Sequence, residues 1–295
     1  MTENKYQVVC FGEVLWDILP SGAEPGGAPM NVAYHLHRQQ KKPALITKIG
    51  DDAQGRELLD LFNSKGLSTE FFETDKHYET GKVYATQDDK GDMTYDIVKP
   101  VAWDYIQWQD TYSSLMQNAT YFVYGSLAAR EKQSRETLFR LLSVAPKKVF
   151  DINLRAPHYD KSLLLDLLNQ ADLLKMNEDE LAYVSPWFTT HKKLEDQMKE
   201  ISEKLNLSLF VVTKGGKGAT LHMNDEIVSH PGFQVEVVDT VGSGDAFLSA
   251  VLSSLIDGAG AEATLKNAIR LGSFVATKRG AMPAYEIAGL KEFYK

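Results

Sequence analysis

Two kinds of pattern alternate along the chain. Apolar runs of strand length occur at Val8 to Phe11, Ala44 to Ile49, Tyr121 to Tyr124, Lys148 to Ile152, Leu173 to Met176 and Leu209 to Thr213. A run that stays apolar, instead of alternating with polar residues, predicts a strand covered on both faces, as in a mostly parallel sheet between helices. The longer amphipathic stretches between them predict helices over Asn31 to Gln40, Gly55 to Ser64, Glu131 to Val144, Leu163 to Asn169 and Leu194 to Leu205, punctuated by Pro43, Gly66 and Pro146. Two more, Ala246 to Ile256 and Glu262 to Thr277, close the pattern. In the second, Leu265, Ala268, Ile269, Gly272, Val275 and Ala276 keep a helical period and read mostly as packing residues. Strand and helix in succession make βαβ units, so the fold class is α/β.

One segment departs from this rhythm. Thr80 to Val98 reads as two strands, Lys82 to Gln87 and Met93 to Val98, around the turn Asp88-Asp89-Lys90-Gly91-Asp92. A hairpin inserted between βα units stands outside the main sheet, and with the strand near Val14 to Leu19 it would form a lid. The expectation is one unit, residues 1–295, with a lid from about 13–20 and 80–100. The Asp-rich turn lacks the spacing and terminal Glu of an EF-hand and reads as a solvated turn.

Charge and composition narrow the function. With 43% hydrophobic and 24% charged residues the chain is an ordinary globular one, and a formal net charge of -8 without a dense basic block argues against nucleic acid. The single cysteine, Cys10, lies inside an apolar run and forms no internal disulfide, which fits a reducing compartment. No apolar signal core opens the chain and no stretch approaches the ~18 apolar residues of a membrane span, so the expected location is the cytoplasm, with no membrane partner.

The sharpest chemical signal is the string from Asp239 through Thr240, Val241, Gly242, Ser243, Gly244 and Asp245 to Phe247, in which glycines and an aspartate immediately precede an apolar helix. Glycines let the backbone approach a ligand, and the unpaired N–H groups of a helix N-terminus stabilise negative charge. Asp245 then faces a neutral hydroxyl and takes its proton as that oxygen attacks phosphorus, with the helix field favouring the ionised carboxylate. An N-cap aspartate beside a tight glycine turn is the structural alternative.

This string resembles the C-terminal signature of the ribokinase and phosphofructokinase-B family of carbohydrate kinases. Gly26-Gly27-Ala28-Pro29-Met30-Asn31-Val32-Ala33 resembles the N-terminal signature, in the family's order and more than 200 residues away. The resemblance covers essentially the whole chain and implies a three-layer α/β/α ribokinase-like fold with a small β-sheet lid over the sugar. Gly12 to Asp17, Gly125 to Ala128 and Asp151 to Arg155 are most similar to fructokinases.

For single residues the resemblance implies the following. Asp17, Gly27 and Asn31 contact the sugar, where Asp17 would otherwise be a loop carboxylate and Asn31 a helix N-cap. Arg155 lies near the sugar and the transferred phosphoryl, although a surface ion pair is its alternative. Asn177 and Glu180 resemble the family's Asn-x-x-Glu motif near Mg²⁺, acting through water, against a simple helix cap. Thr213, Gly215, Gly216 and Gly218 resemble the loop facing the ATP phosphates, against a glycine-rich hairpin turn. Adenine would lie around Asn267 and Gly272. A potassium ion would sit by Asp239 and Thr240 with carbonyls near Val275 and Gly280, while Ala284 stands where many relatives carry a serine.

Other readings fail on their own terms. Gly50 to Gly55 has Walker A spacing, but Arg56-Glu57 replaces the required Lys and hydroxyl residue. Phe247 occupies the place of the third small residue of a dinucleotide fingerprint, and no His-Glu-x-x-His pair exists. The expected activity is ATP-dependent transfer of a phosphoryl group to a sugar hydroxymethyl, with fructose first, 2-keto-3-deoxygluconate or ribose as rivals, and a non-catalytic sugar sensor as the alternative of another class. A homodimer through the lid is expected from its exposed sheet face.

Overall fold

The computed structural model describes residues 5–20, 22–87 and 93–293, so the Asp88 to Asp92 turn lies outside the described residues. The main-sheet strands are β1 (Val8–Phe11), β4 (Pro43–Gly50), β5 (Phe72–Asp75), β8 (Tyr121–Gly125), β9 (Lys147–Asp151), β10 (Leu173–Asn177), β11 (Leu209–Thr213), β12 (Ala219–Met223) and β13 (Glu226–His230). They form a nine-stranded sheet in the order β13-β12-β11-β10-β9-β8-β1-β4-β5. All pairs from β11 to β5 are parallel, whereas β12 and β13 close one edge as an antiparallel hairpin.

The helices are α1 (Ala28–Arg38), α2 (Ala53–Ser64), α3 (Thr111–Gln117), α4 (Lys132–Leu142), α5 (Lys161–Leu168), α6 (Glu178–Val184), α7 (Leu194–Leu205), α8 (Ser243–Ile256), α9 (Ala261–Ala276) and α10 (Ile287–Glu292). They cover both faces of the sheet. In β1, Val9 and Phe11 join an apolar cluster with Leu138 of α4, Leu164 of α5 and Ile201 of α7, while Val8 and Cys10 join another with α1, α8 and α9. This is the three-layer α/β/α arrangement that continuous apolar strands imply.

A second, four-stranded sheet has the order β3-β2-β6-β7, from β2 (Leu15–Leu19), β3 (Gly22–Gly26), β6 (Gly81–Gln87) and β7 (Met93–Ile97). The lid expected at about 13–20 and 80–100 therefore needs a correction: Gly22–Gly26 supplies an edge strand, and Glu13, Val14 and Val98 to Pro100 lie outside the strands. Gly22, Pro25 and Gly26 are poor strand formers, so no local pattern announces β3; pairing with β2 holds it.

The topology places the cavity. β1 is flanked by β8 on one side and β4 on the other, so the chain winds outward in two directions from there. A crevice opens beyond the carboxyl ends of the strands where winding reverses. Segments leaving β1, β8, β9, β10 and β11 deliver Glu13, Leu127, Asn153, Arg155, Asn177 and Thr213 to one cavity of about 540 Å³.

Candidate active site

The cavity's floor is the start of α8. Gly242 is its N-cap, with φ +74°, and a Cβ placed there would stand 2.5 Å from the Cβ of Ala281, so both backbone and packing require glycine. Among the described residues the amides of Gly242, Gly244 and Asp245 donate no hydrogen bond, while that of Ser243 reaches Thr240 O at 3.2 Å. Of the three amides expected in the cradle, those of Gly242, Ser243 and Gly244, that of Ser243 is thus engaged, and Ser243, whose Oγ is buried, does not line the cavity.

Asp245 is half-buried at the third helical position, not at the N-cap. Asn31 Nδ2 donates to its Oδ2 at 2.8 Å across 214 residues of sequence. Burial and the nearby Asp151 push its carboxyl up to about 6, against the opposing effects of Asn31, Lys175 and Arg155. Desolvation thus outweighs the helix field that was expected to favour the ionised form. A carboxylate in that range remains ionised at neutral pH and is a better proton acceptor than a solvent-exposed one.

Beside it stand Asp17 and Glu13. Burial pushes Asp17 up to about 6 and Glu13 up to about 7, with Arg155 opposing both. Gly27, not Asn31, is the N-cap of α1; its φ is +119°, and a Cβ would collide with the carbonyl oxygen of Glu13. Asn31 keeps one buried atom, Oδ1, without a partner, as does Glu13 with Oε2. Arg155 is exposed, its guanidinium donates to Leu154 O at 3.1 Å, and it lines the cavity; among the described residues it forms no ion pair.

Asn177 and Glu180 form a reciprocal cap on α6: Asn177 Oδ1 accepts from Glu180 N, and Glu180 Oε2 from Asn177 N, both at 2.8 Å. Glu180 Oε1 also accepts from Leu154 N at 3.0 Å. Both line the cavity, but their first role is structural, and among the described residues no group of three His, Cys, Asp or Glu side chains could hold a metal by itself. Asp239 ties the loop, accepting from Val241 N and Gly280 N at 3.0 Å each.

Thr213 and Thr240 line the cavity; Gly215, Gly216 and Gly218 belong to the connection from β11 to β12 and do not. Gly218, with φ +84°, packs against His230 and Gly232, while a Cβ placed on Gly215 or Gly216 would meet nothing within 4 Å. Asn267 is exposed on α9, 3.3 Å from Ser254 Oγ, and Gly272 is buried where α9 meets Ser243 and Phe247, so neither lies in this cavity.

Among the lining residues to which the sequence assigned no site role are Glu13, Asn153 and Lys175. Asn153 takes φ +38°, which its asparagine permits. Lys175 sits inside the run Leu173 to Met176, and a lysine in an otherwise apolar strand was itself the signal.

A parallel α/β sheet, a glycine-backed helix N-terminus and a carboxylate held by an amide together make a site able to bind an anion beside a hydroxyl whose proton the carboxylate can accept. The family model described as pfkB family carbohydrate kinase matches residues 21–288, and the chain belongs to that family. It is 30% identical to fructokinase-2 of Solanum lycopersicum over 95% of this chain and 93% of that one. It is 29% identical to the probable fructokinase-4 of Arabidopsis thaliana over 95% and 94%. Among solved structures, the fructokinase of Vibrio cholerae O395 with fructose, ADP and calcium bound superposes with a TM-score of 0.82 at 24% identity over 99% and 100% of the two chains. The fructokinase of Xylella fastidiosa with bound ATP does so at 0.85 and 23% over 98% of each.

Proposed function

We propose that this chain phosphorylates fructose on a hydroxymethyl group at the expense of ATP. The observation that carries the reading is the Asn31–Asp245 bond above open cradle amides, in a chain whose curated relatives are fructokinases over nearly their whole length. Asp17, Gly27 and Asn31 hold the sugar. Two carboxyl groups, Glu13 and Asp17, disfavour an acceptor carrying its own carboxylate, so 2-keto-3-deoxygluconate fits less well than a neutral sugar.

In the reaction the sugar hydroxyl oxygen bonds to the γ-phosphorus, the bond to the bridging oxygen breaks, and ADP leaves with the electron pair. Asp245 takes the hydroxyl proton. The amides of Gly242 and Gly244 and the guanidinium of Arg155 face the charge on the transferred group. Thr213 and the Gly215, Gly216 and Gly218 turn approach the nucleotide from β11. Mg²⁺ would neutralise the ATP phosphates, with Glu180 and Asn177 reaching it through water, because both residues already serve the α6 cap. Asp239 and Thr240 remain the residues for a potassium ion. The four-stranded sheet covers the sugar, and its outer face, where Tyr84 is 43% exposed, is the surface for a second copy. No helix among the described residues is long and apolar enough to cross a membrane, and we place the protein in the cytoplasm.

The test is ADP release with Mg-ATP against fructose, 2-keto-3-deoxygluconate, ribose, adenosine and fructose 6-phosphate, with Asp245→Ala as control. Turnover on fructose, lost in the variant, is expected. Preference for another sugar overturns the substrate, and sugar binding without turnover on any of them overturns the enzyme.

A further inference from the structure

A charged side chain in the middle of a covered strand demands a reason. Lys175 lies in β10 between the buried Leu174 and Met176, and its own side chain is 9% exposed. Strand register sets it beside Asp151 of β9, and its ammonium donates to both carboxylate oxygens, at 2.8 and 2.7 Å. Burial works against the charge, but Asp151, Glu180 and Asp245 outweigh it and hold the lysine protonated. An ammonium has three N–H donors. Asp151 takes two, and the third has no partner among the described residues.

That nitrogen stands under the cradle. A Cβ placed on Gly244 would lie 3.4 Å from Lys175 Nζ, and both residues line the cavity. Gly244 is not in a left-handed conformation, so its backbone does not require glycine. The missing side chain instead leaves the ammonium open to whatever the Gly244 amide binds.

We propose that Lys175 is a catalytic residue: its third N–H donates to a non-bridging oxygen of the phosphoryl group in transit, beside the amide of Gly244. The inference rests on the kinase reading above. Lys175 keeps its proton throughout. The sugar proton goes to Asp245, the new bond joins the sugar oxygen to phosphorus, and ADP leaves with the electrons of the broken one. Asp151 is then a positioning residue that holds the ammonium by two of its hydrogens.

The competing role for Lys175 is a counterion that merely neutralises Asp151. The two roles separate in a double variant. Lys175→Met alone leaves a buried, unpaired carboxylate and lowers the unfolding temperature. Lys175→Met with Asp151→Asn is neutral and regains much of that stability. A catalytic Lys175 leaves the double variant about 10²- to 10³-fold down in kcat, with a smaller change in KM for Mg-ATP. Recovery of the double variant to near the parent rate overturns the proposal. As a second readout, ADP binding is compared with and without fluoroaluminate, a mimic of the transferring phosphoryl group. The double variant should bind ADP as the parent does and lose the gain that fluoroaluminate brings; an undiminished gain overturns the proposal. Turnover is read on whichever sugar the parent phosphorylates. A parent silent on all of them defeats the kinase reading, while the fluoroaluminate comparison still decides the role of Lys175.

Discussion

The two walls of the cavity are built differently. On the cradle side, α8 is buried from Ala246 through Ser254, Gly242 rests on Ala281, and Asn31 reaches over from α1 to hold Asp245. On the other side, which we propose covers the sugar, there is a single four-stranded sheet, whose strands β6 and β7 carry Tyr84 and Tyr95 at 43% and 57% exposure. Phosphoryl transfer needs its groups fixed to a fraction of an ångström, so the chemistry belongs on packed helices. A sugar must enter and leave, so its cover is thin and rooted at few points. Those roots are firm: Arg130 pairs with Asp104 at 2.7 and 2.8 Å, stacks on Trp103 at 4.0 Å and donates to Val98 O at 2.6 Å just past β7.

This contrast can be broken from either side. The largest expected effect is on the rigid wall: Asp245→Ala should lower kcat by about 10²- to 10⁴-fold while ATP still binds, as read by steady-state kinetics and calorimetry. Gly242→Ala forces a left-handed alanine against Ala281. It should lose stability by roughly 1–3 kcal/mol in thermal unfolding and lower turnover as the cradle shifts. Ile97→Ala, on the inner face of the thin wall, should instead raise KM for the sugar roughly tenfold and leave KM for ATP unchanged. A matching loss in both substrates would erase the distinction between the walls.

The smallest effects are those of pH. Because burial raises the carboxyl of Asp245 to about 6, kcat/KM should climb as pH rises through that value, when the base ionises. Stability runs the other way. Raised carboxyls bind protons more tightly in the folded than in the unfolded chain, so their contribution is greatest in acid and is lost as pH rises through the folded value. Glu13, raised to about 7, is the clearest case. Glu13→Gln should melt about 2–4 °C above the parent at pH 8, with the difference vanishing by about pH 4.

Much of the architecture was legible in the residues. Leu209–Thr213, Val8–Phe11 and Leu194–Leu205 begin and end where the apolar patterns do, because burial on both faces, or on one stripe, leaves a periodic trace. The β11–β12 hairpin left a weaker trace: the glycines between Thr213 and Ala219 serve as well for a nucleotide loop as for a turn, and only the antiparallel pairing shows the turn. Gly22–Gly26 left none, since its partner strand, not its composition, makes it a strand.

At the site the division follows sequence distance. The residue string from Asp239 to Phe247 by itself determined that an anion cradle and a carboxylate stand at a helix start, because glycine freedom, unpaired amides and an apolar helix are local properties. Pairing across the chain was decided by the tertiary structure alone. Asn31 finds Asp245 because α1 packs on α8, and Lys175 finds Asp151 because β9 and β10 share a register. Burial decides the rest: withdrawal from water raises the carboxyls of Glu13, Asp17 and Asp245, and that depends on what the whole fold places around them.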